Sequence, residues 1–178
     1  MPTLPIPSLE GLSTDRLMFH RPTLEDRGWW MEYMVDPDAI RFMPFRKGSA
    51  DDVLGFIQRS LERAAHDGSG LHAVRVRATG EPVGMVGLLT QEVDEVAELE
   101  VGYHLRPSAW GHGYATEAAI ACKRFAFAHR LSGSVISLID PENHRSQRVA
   151  MRNGMHLEKR TIHRGTPALV FRVVNGLG

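Results

Sequence analysis

Of the 178 residues only one is a cysteine, Cys122. That excludes an internal disulfide framework and a cysteine-rich zinc site. No apolar run approaches the roughly 20 residues that span a bilayer. The opening MPTLPIPSLEGLSTDRL has neither the basic start nor the apolar centre of a signal peptide, so a cytoplasmic location without membrane attachment is expected. Neither sign of charge is in excess. The 21 Lys plus Arg residues balance 21 Asp plus Glu, which argues against a nucleic-acid partner held by bulk positive charge. The nine histidines are scattered with no H-x-x-x-H pair, and no metal site is expected. The dinucleotide fingerprint G-x-G-x-x-G and the P-loop lysine are both missing, which makes a nucleotide-binding domain of either kind remote.

What is present is an ordinary globular composition, 43% apolar and 24% charged, at a length that suits one domain with its own core. Residues 1–12 hold three prolines and little periodicity and read as an extended lead-in. Residues 13–178 read as a single domain. Arg16–Arg21 alternates like a strand, and Pro22 stops it. Thr23 is an N-cap candidate with Asp26 three residues on, starting a helix to Val35 that carries Trp29, Trp30, Tyr33 and Met34. Trp29 is expected in the core. A helical turn through Ile40 and Met43 and a loop at Pro44–Gly48 follow. Ser49–Asp67 has apolar residues at helical spacing.

Leu71–Arg77, Pro82–Gln91 and Glu95–Leu105 form a predicted antiparallel meander. Its turns fall at Ala78–Glu81 and Glu92–Asp94. A glycine-bearing stretch leads into a helix, Tyr114–Arg130, that is apolar almost all round and therefore buried. Ser134–Ile139 is a short strand. After a loop at Asp140–His144 a short helix runs to Asn153 and ends at Gly154. Two strands close the chain, Met155–Ile162 and Ala168–Val174. The fold class is mixed α/β.

One segment carries a recognisable chemistry. Gly111 and Gly113 let the backbone turn sharply and approach a ligand closely. The helix that starts at Tyr114 has first-turn N–H groups without intrahelical partners, and these favour an anion. Thr116 adds a hydroxyl, and Arg106 adds charge at the start of the loop. Read alone, the same two glycines also make an ordinary tight connection.

The run Gly102-Tyr103-His104-Leu105-Arg106-Pro107, followed by Trp110-Gly111-His112-Gly113-Tyr114-Ala115-Thr116-Glu117-Ala118, resembles the acetyl-CoA-binding motif of GNAT acetyltransferases. It is most similar to the branch that includes ribosomal-protein N-terminal acetyltransferases. Asn143, Ser146, Arg148–Ala150, Asn153 and Gly154 resemble that branch's N-x-x-S helix, and Thr14-Asp15-Arg16-Leu17 resembles its opening strand. The resemblance implies a mostly antiparallel sheet of six to seven strands flanked by helices. It also implies a splayed strand pair, here Glu98–Leu105 and Ser134–Ile139, that admits the pantetheine arm of acetyl-CoA.

Backbone groups of Tyr103, His104 and Leu105 then pair with the arm, and a β-bulge amide near Tyr103 polarises the thioester. Arg106 and the loop from Trp110 through Gly111, His112, Gly113, Tyr114, Ala115 and Thr116 take the pyrophosphate, and Asn143 orients the pantetheine amides. Glu100 is the candidate base, ahead of His104 and Glu98 on the same strand face. Ser146 is the candidate donor to the leaving thiolate, and its bland alternative is a helix-start residue satisfying backbone donors. The N-terminal helices shape the acceptor pocket.

The chain departs from the family at two places. Ser108 stands where the motif often has Gln or Arg. The tyrosines are Tyr33, Tyr103 and Tyr114 alone, so the last third lacks the tyrosine that many relatives use as acid. The resemblance implies direct transfer in a ternary complex, and Cys122 reads as a buried hydrophobe that forms no acetyl-enzyme. The expected activity is acetylation of a primary amine, on a protein N-terminus or a small molecule. The alternative is an acyl-CoA-binding sensor with weak catalysis. A homodimer is compatible with either.

Overall fold

The computed structural model describes residues 1–43 and 48–176. Of the expected loop at Pro44–Gly48, residues 44–47 lie outside them. Strand β1 (Leu17–His20) is followed by a 3₁₀ turn (Leu24–Asp26), helix α1 (Arg27–Val35) and helix α2 (Ala50–His66). Strands β2 (Gly70–Val76), β3 (Pro82–Val93) and β4 (Val96–Leu105) form the meander. A second 3₁₀ turn (Pro107–Ala109) leads to helix α3 (Tyr114–Ala128), then β5 (Ser134–Ile139), α4 (His144–Arg152), β6 (His156–His163) and β7 (Thr166–Val174).

Local chemistry accounts for the helix boundaries. The Asp26 carboxylate accepts the Thr23 N–H at 2.8 Å at the first turn. Ser49 and Asp52 cap α2 reciprocally, the Ser49 Oγ accepting from Asp52 N and the Asp52 carboxylate accepting from Ser49 N. Gly154, at φ 84°, ends α4 in the left-handed conformation. The β3–β4 turn differs from expectation. Pairing continues to Val93↔Val96, so the turn is the two-residue Asp94–Glu95, both at positive φ (50° and 66°). Val93 and Val96 extend the strands, and a two-residue turn of this hand matches the strand twist.

The seven strands lie in the order β1-β2-β3-β4-β5-β7-β6. Every neighbouring pair is antiparallel except β4 and β5, which are parallel. That pair is joined at Glu100↔Ile136 alone and then parts. Helix α3 packs on one face. Its Ala118, Ala119, Cys122 and Ala126 meet Leu99, Val101 and Leu105 of β4 in the larger core, and the small side chains let the helix lie close to the sheet.

Ile6 and Leu9 of the lead-in are buried in that same core, so the lead-in is packed although it forms neither strand nor helix. Helices α1 and α2 cover the opposite face, where Trp30, Tyr33, Met34, Phe56 and Ile57 form a second core on Leu71, Ala73 and Met85. The tryptophan expected inside is displaced by one residue. Trp30 is fully buried, whereas Trp29 is partly exposed and donates its indole N–H to Asp26. Among the described residues no helix is long and apolar enough to cross a membrane.

Candidate active site

A groove of about 1020 Å³ opens where β4 and β5 part, and runs to the start of α3 and α4. Glu100, Tyr103, His104, Leu105, Trp110, Gly111, Gly113, Tyr114, Ala115, Thr116, Asn143 and Ser146 all line it. Arg106 and His112 do not. The Arg106 guanidinium is held by Glu32 of α1 and by the Pro82 carbonyl, and Glu32 also accepts the Ser108 N–H. Its charge is therefore spent on anchoring the loop to α1. His112 is exposed and stacks on Tyr114, and its carbonyl accepts from Arg16 Nη1 at 3.0 Å.

Gly111 and Gly113 have φ of 82° and 79°, conformations that favour glycine. A Cβ on Gly111 would meet nothing within 4 Å, and one on Gly113 only Arg16 Nη2 at 3.6 Å. Backbone conformation, not crowding, demands glycine here, and the space before the loop is open. No side chain caps α3 at Gly113, so its first-turn N–H groups face that space unpaired by a cap. The chain thus offers the donors and the room that a pyrophosphate needs. The loop is braced from behind by Glu117, which accepts from the Thr14 hydroxyl and from Arg16. On the α4 side Arg145 lies 4.5 Å over the Trp110 ring.

Side chains alternate along β4, and so do its peptide groups. The Val101 carbonyl faces β5, where it accepts from Ser137 Oγ at 2.8 Å. By the same parity the peptide groups of Tyr103 and Leu105 point into the gap, and those of His104 point to β3. The Leu105 carbonyl is taken by the Trp110 indole. The expected bulge is absent, because β3–β4 register runs unbroken from Gly84↔Leu105 to Val93↔Val96. Divergence of β5, rather than a bulge, leaves the Tyr103 amide without a strand partner.

Glu100 sits at the fork and is 8% exposed. Its Oε1 accepts the Leu138 N–H of β5 at 3.2 Å, and its Oε2 accepts from Gln91 Nε2 at 2.6 Å. Burial pushes its carboxyl above the usual carboxylate range, against the pull of those two donors. His104, on the same face, has its Nδ1 3.0 Å from the Tyr33 hydroxyl. Burial pushes this imidazole down to about 4, so it is neutral near pH 7. Tyr33 is kept protonated by burial, and its hydroxyl pairs with His104 Nδ1, one of the two groups donating and the other accepting according to the imidazole tautomer. Glu98 is taken up in an ion pair with Arg172.

The other face of β4 holds a contact the sequence reasoning missed. Tyr103 donates to the Ser146 carbonyl at 2.9 Å, and Ser146 Oγ donates to the Tyr103 hydroxyl at 3.0 Å. Burial pushes the phenol up to about 12, so it carries its proton. The signal was strand parity, which sends Tyr103 away from Glu100 and His104 and toward α4. Asn143, not Ser146, caps α4, its Oδ1 accepting the Ser146 N–H at 3.1 Å.

A split parallel pair leading to an uncapped glycine-started helix is the arrangement that the resemblance to GNAT acetyltransferases implies, and comparison with known proteins identifies the class. Residues 16–156 match the acetyltransferase (GNAT) domain family, and the chain belongs to that family of acyltransferases. It is 31% identical over 140 residues to the uncharacterized N-acetyltransferase p20 of Bacillus licheniformis, covering 76% of each chain. It is 38% identical over 104 residues to the uncharacterized protein YkkB of Bacillus subtilis, spanning 58% of this chain and 60% of YkkB. An acetyltransferase structure from Agrobacterium tumefaciens superimposes with a TM-score of 0.80 at 25% identity, over 94% of this chain and 96% of that one. The ribosomal L7/L12 α-N-protein acetyltransferase RimL, solved with coenzyme A, superimposes at 0.72 and 14% identity over 97% and 98%.

Proposed function

We propose that the protein transfers the acetyl group of acetyl-CoA directly to a primary amine, on a peptide N-terminus or a small molecule. The observation that carries this reading is the fork at Glu100↔Ile136, which opens one continuous groove from a buried carboxylate to the uncapped start of α3. Acetyl-CoA is the co-substrate and supplies an activated thioester carbonyl.

The first-turn N–H groups of α3 and the Gly111–Thr116 backbone hold its pyrophosphate. The peptide edge at Tyr103 and Leu105 takes the pantetheine arm as an added strand, with Asn143 at the mouth of α4. The Tyr103 N–H donates to the carbonyl oxygen as charge develops on it. Glu100 accepts the amine's proton, directly or through water. His104, kept neutral by burial and paired with the Tyr33 hydroxyl, lines the groove beside the thioester. The Tyr103 phenol and the Ser146 hydroxyl form a donor pair for the thiolate, a place that relatives fill with a later tyrosine.

Release of free thiol from acetyl-CoA, screened against peptide N-termini, polyamines, amino acids and aminoglycosides, tests the reading. Amine-dependent release is expected. Tight acetyl-CoA binding with no release for any amine class identifies a sensor instead.

A further inference from the structure

A carboxylate enclosed beside a ligand groove must be both aimed and kept able to accept a proton. The groups around Glu100 come from several elements. Gln91 of β3 and the Leu138 N–H of β5 touch it. Arg63 of α2, anchored on the Thr90 carbonyl at 3.1 Å, and Arg164 at the β6–β7 turn supply positive charge without contact. Tyr103 is the titratable neighbour on its own strand, and Glu98 further along is neutralised by Arg172.

Among the described residues Gln91 is the one side chain that hydrogen-bonds the carboxylate, and its other end is also engaged: Arg164 Nη2 donates to Gln91 Oε1 at 3.1 Å. Arg164 and Gly165 form a two-residue turn, both at positive φ (49° and 80°), which fixes where the guanidinium begins. The direction of the amide follows from chemistry. Arginine only donates, so the amide oxygen must face Arg164 and the NH₂ must face Glu100. Reversed, both contacts would fail. An NH₂ group has no lone pair to offer a protonated carboxyl, so the arrangement suits the ionised form.

We propose that Gln91, oriented by Arg164, is a positioning residue that aims Glu100 across the β4–β5 fork and holds it ready to accept the amine's proton. The proposal rests on the reading of Glu100 as the base. Gln91→Leu keeps the volume and removes the donor. Arg164→Met, at the surface, breaks only the outer link and does not threaten the fold.

The test pairs pH profiles of kcat/KM with ¹³C NMR titration of the Glu100 carboxyl, in protein labelled at glutamate side chains and assigned with Glu100→Gln. In Gln91→Leu the carboxyl midpoint and the acid limb of the profile should both move to higher pH, by a proton-affinity change of about tenfold, the size of one pKa unit. Arg164→Met should move both the same way by less, with KM for acetyl-CoA unchanged. An unmoved carboxyl midpoint in Gln91→Leu overturns the proposal. Wild-type activity in Glu100→Gln would sink the base assignment separately, since the NMR midpoint reports the control by Gln91 and Arg164 whether or not Glu100 takes part in turnover.

Discussion

Three side chains of β4, at 100, 103 and 104, divide the proposed proton chemistry between two faces of one strand. Glu100 and His104 face α1 and α2, and Tyr103 faces α4. Burial acts on each in the direction of its neutral form, and what differs is the neighbour. Glu100 has two N–H donors and so retains an accessible ionised state. His104 has only the Tyr33 hydroxyl beside it and no carboxylate, so nothing offsets the burial that holds it neutral.

Glu100→Gln should therefore lower turnover by about 10²-fold or more, the scale of a lost general base. Because the folded carboxyl titrates above the ordinary range, the wild-type rate should fall as pH drops through that raised value. The acidic limb should be lost in the variant, and a pH–rate profile checks both. Tyr103→Phe and Ser146→Ala should each cost roughly tenfold in kcat, about 1.4 kcal/mol, the scale of one lost hydrogen bond. The double variant should cost less than the product, because each hydroxyl acts through the other. Multiplicative losses in single-turnover rates would show that the two act independently.

At the scale of elements, α3 and the loop before it were the most legible part of the chain. Glycines at 111 and 113 ahead of an apolar run state a turn and a buried helix in local terms. The strand and helix order was equally local, as was the capping at Ser49 and Gly154. What the sequence concealed were contacts made by residues far apart. The Tyr103–Ser146 pair spans 43 positions and the Glu100–Leu138 bond 38. Both exist only because β4 and β5 part after one pairing. The ion pair that holds Arg106 away from the groove was hidden for the same reason, since its partner Glu32 lies 74 positions away. Gly113→Val places a branched residue at φ 79° and a side chain in the open space before α3. Acetyl-CoA affinity should collapse in calorimetric titration while the folded signal in circular dichroism persists. Retained affinity would remove this loop from the cofactor site.

The whole molecule is a sheet built as two antiparallel halves joined by one parallel pair. The halves are tied together on one side of the fork by Arg172, which bonds Glu98 of β4, Ser134 of β5 and Glu158 of β6. Beyond the fork they diverge, so the groove is a consequence of topology and needs no moving part to exist. In the proposed reaction both substrates meet in it at once, the acyl donor from the α3–α4 side and the amine from the α1–α2 side. The only thiol, Cys122, is fully buried in α3, and burial pushes it up out of the reactive range, which leaves no cysteine to carry an acyl group.

Initial rates of thiol release with both acetyl-CoA and amine varied test this most directly. The predicted result is a set of intersecting double-reciprocal lines, with Cys122→Ala retaining most of the activity. Parallel lines, together with an acetylated Cys122 trapped by mass spectrometry, would contradict it.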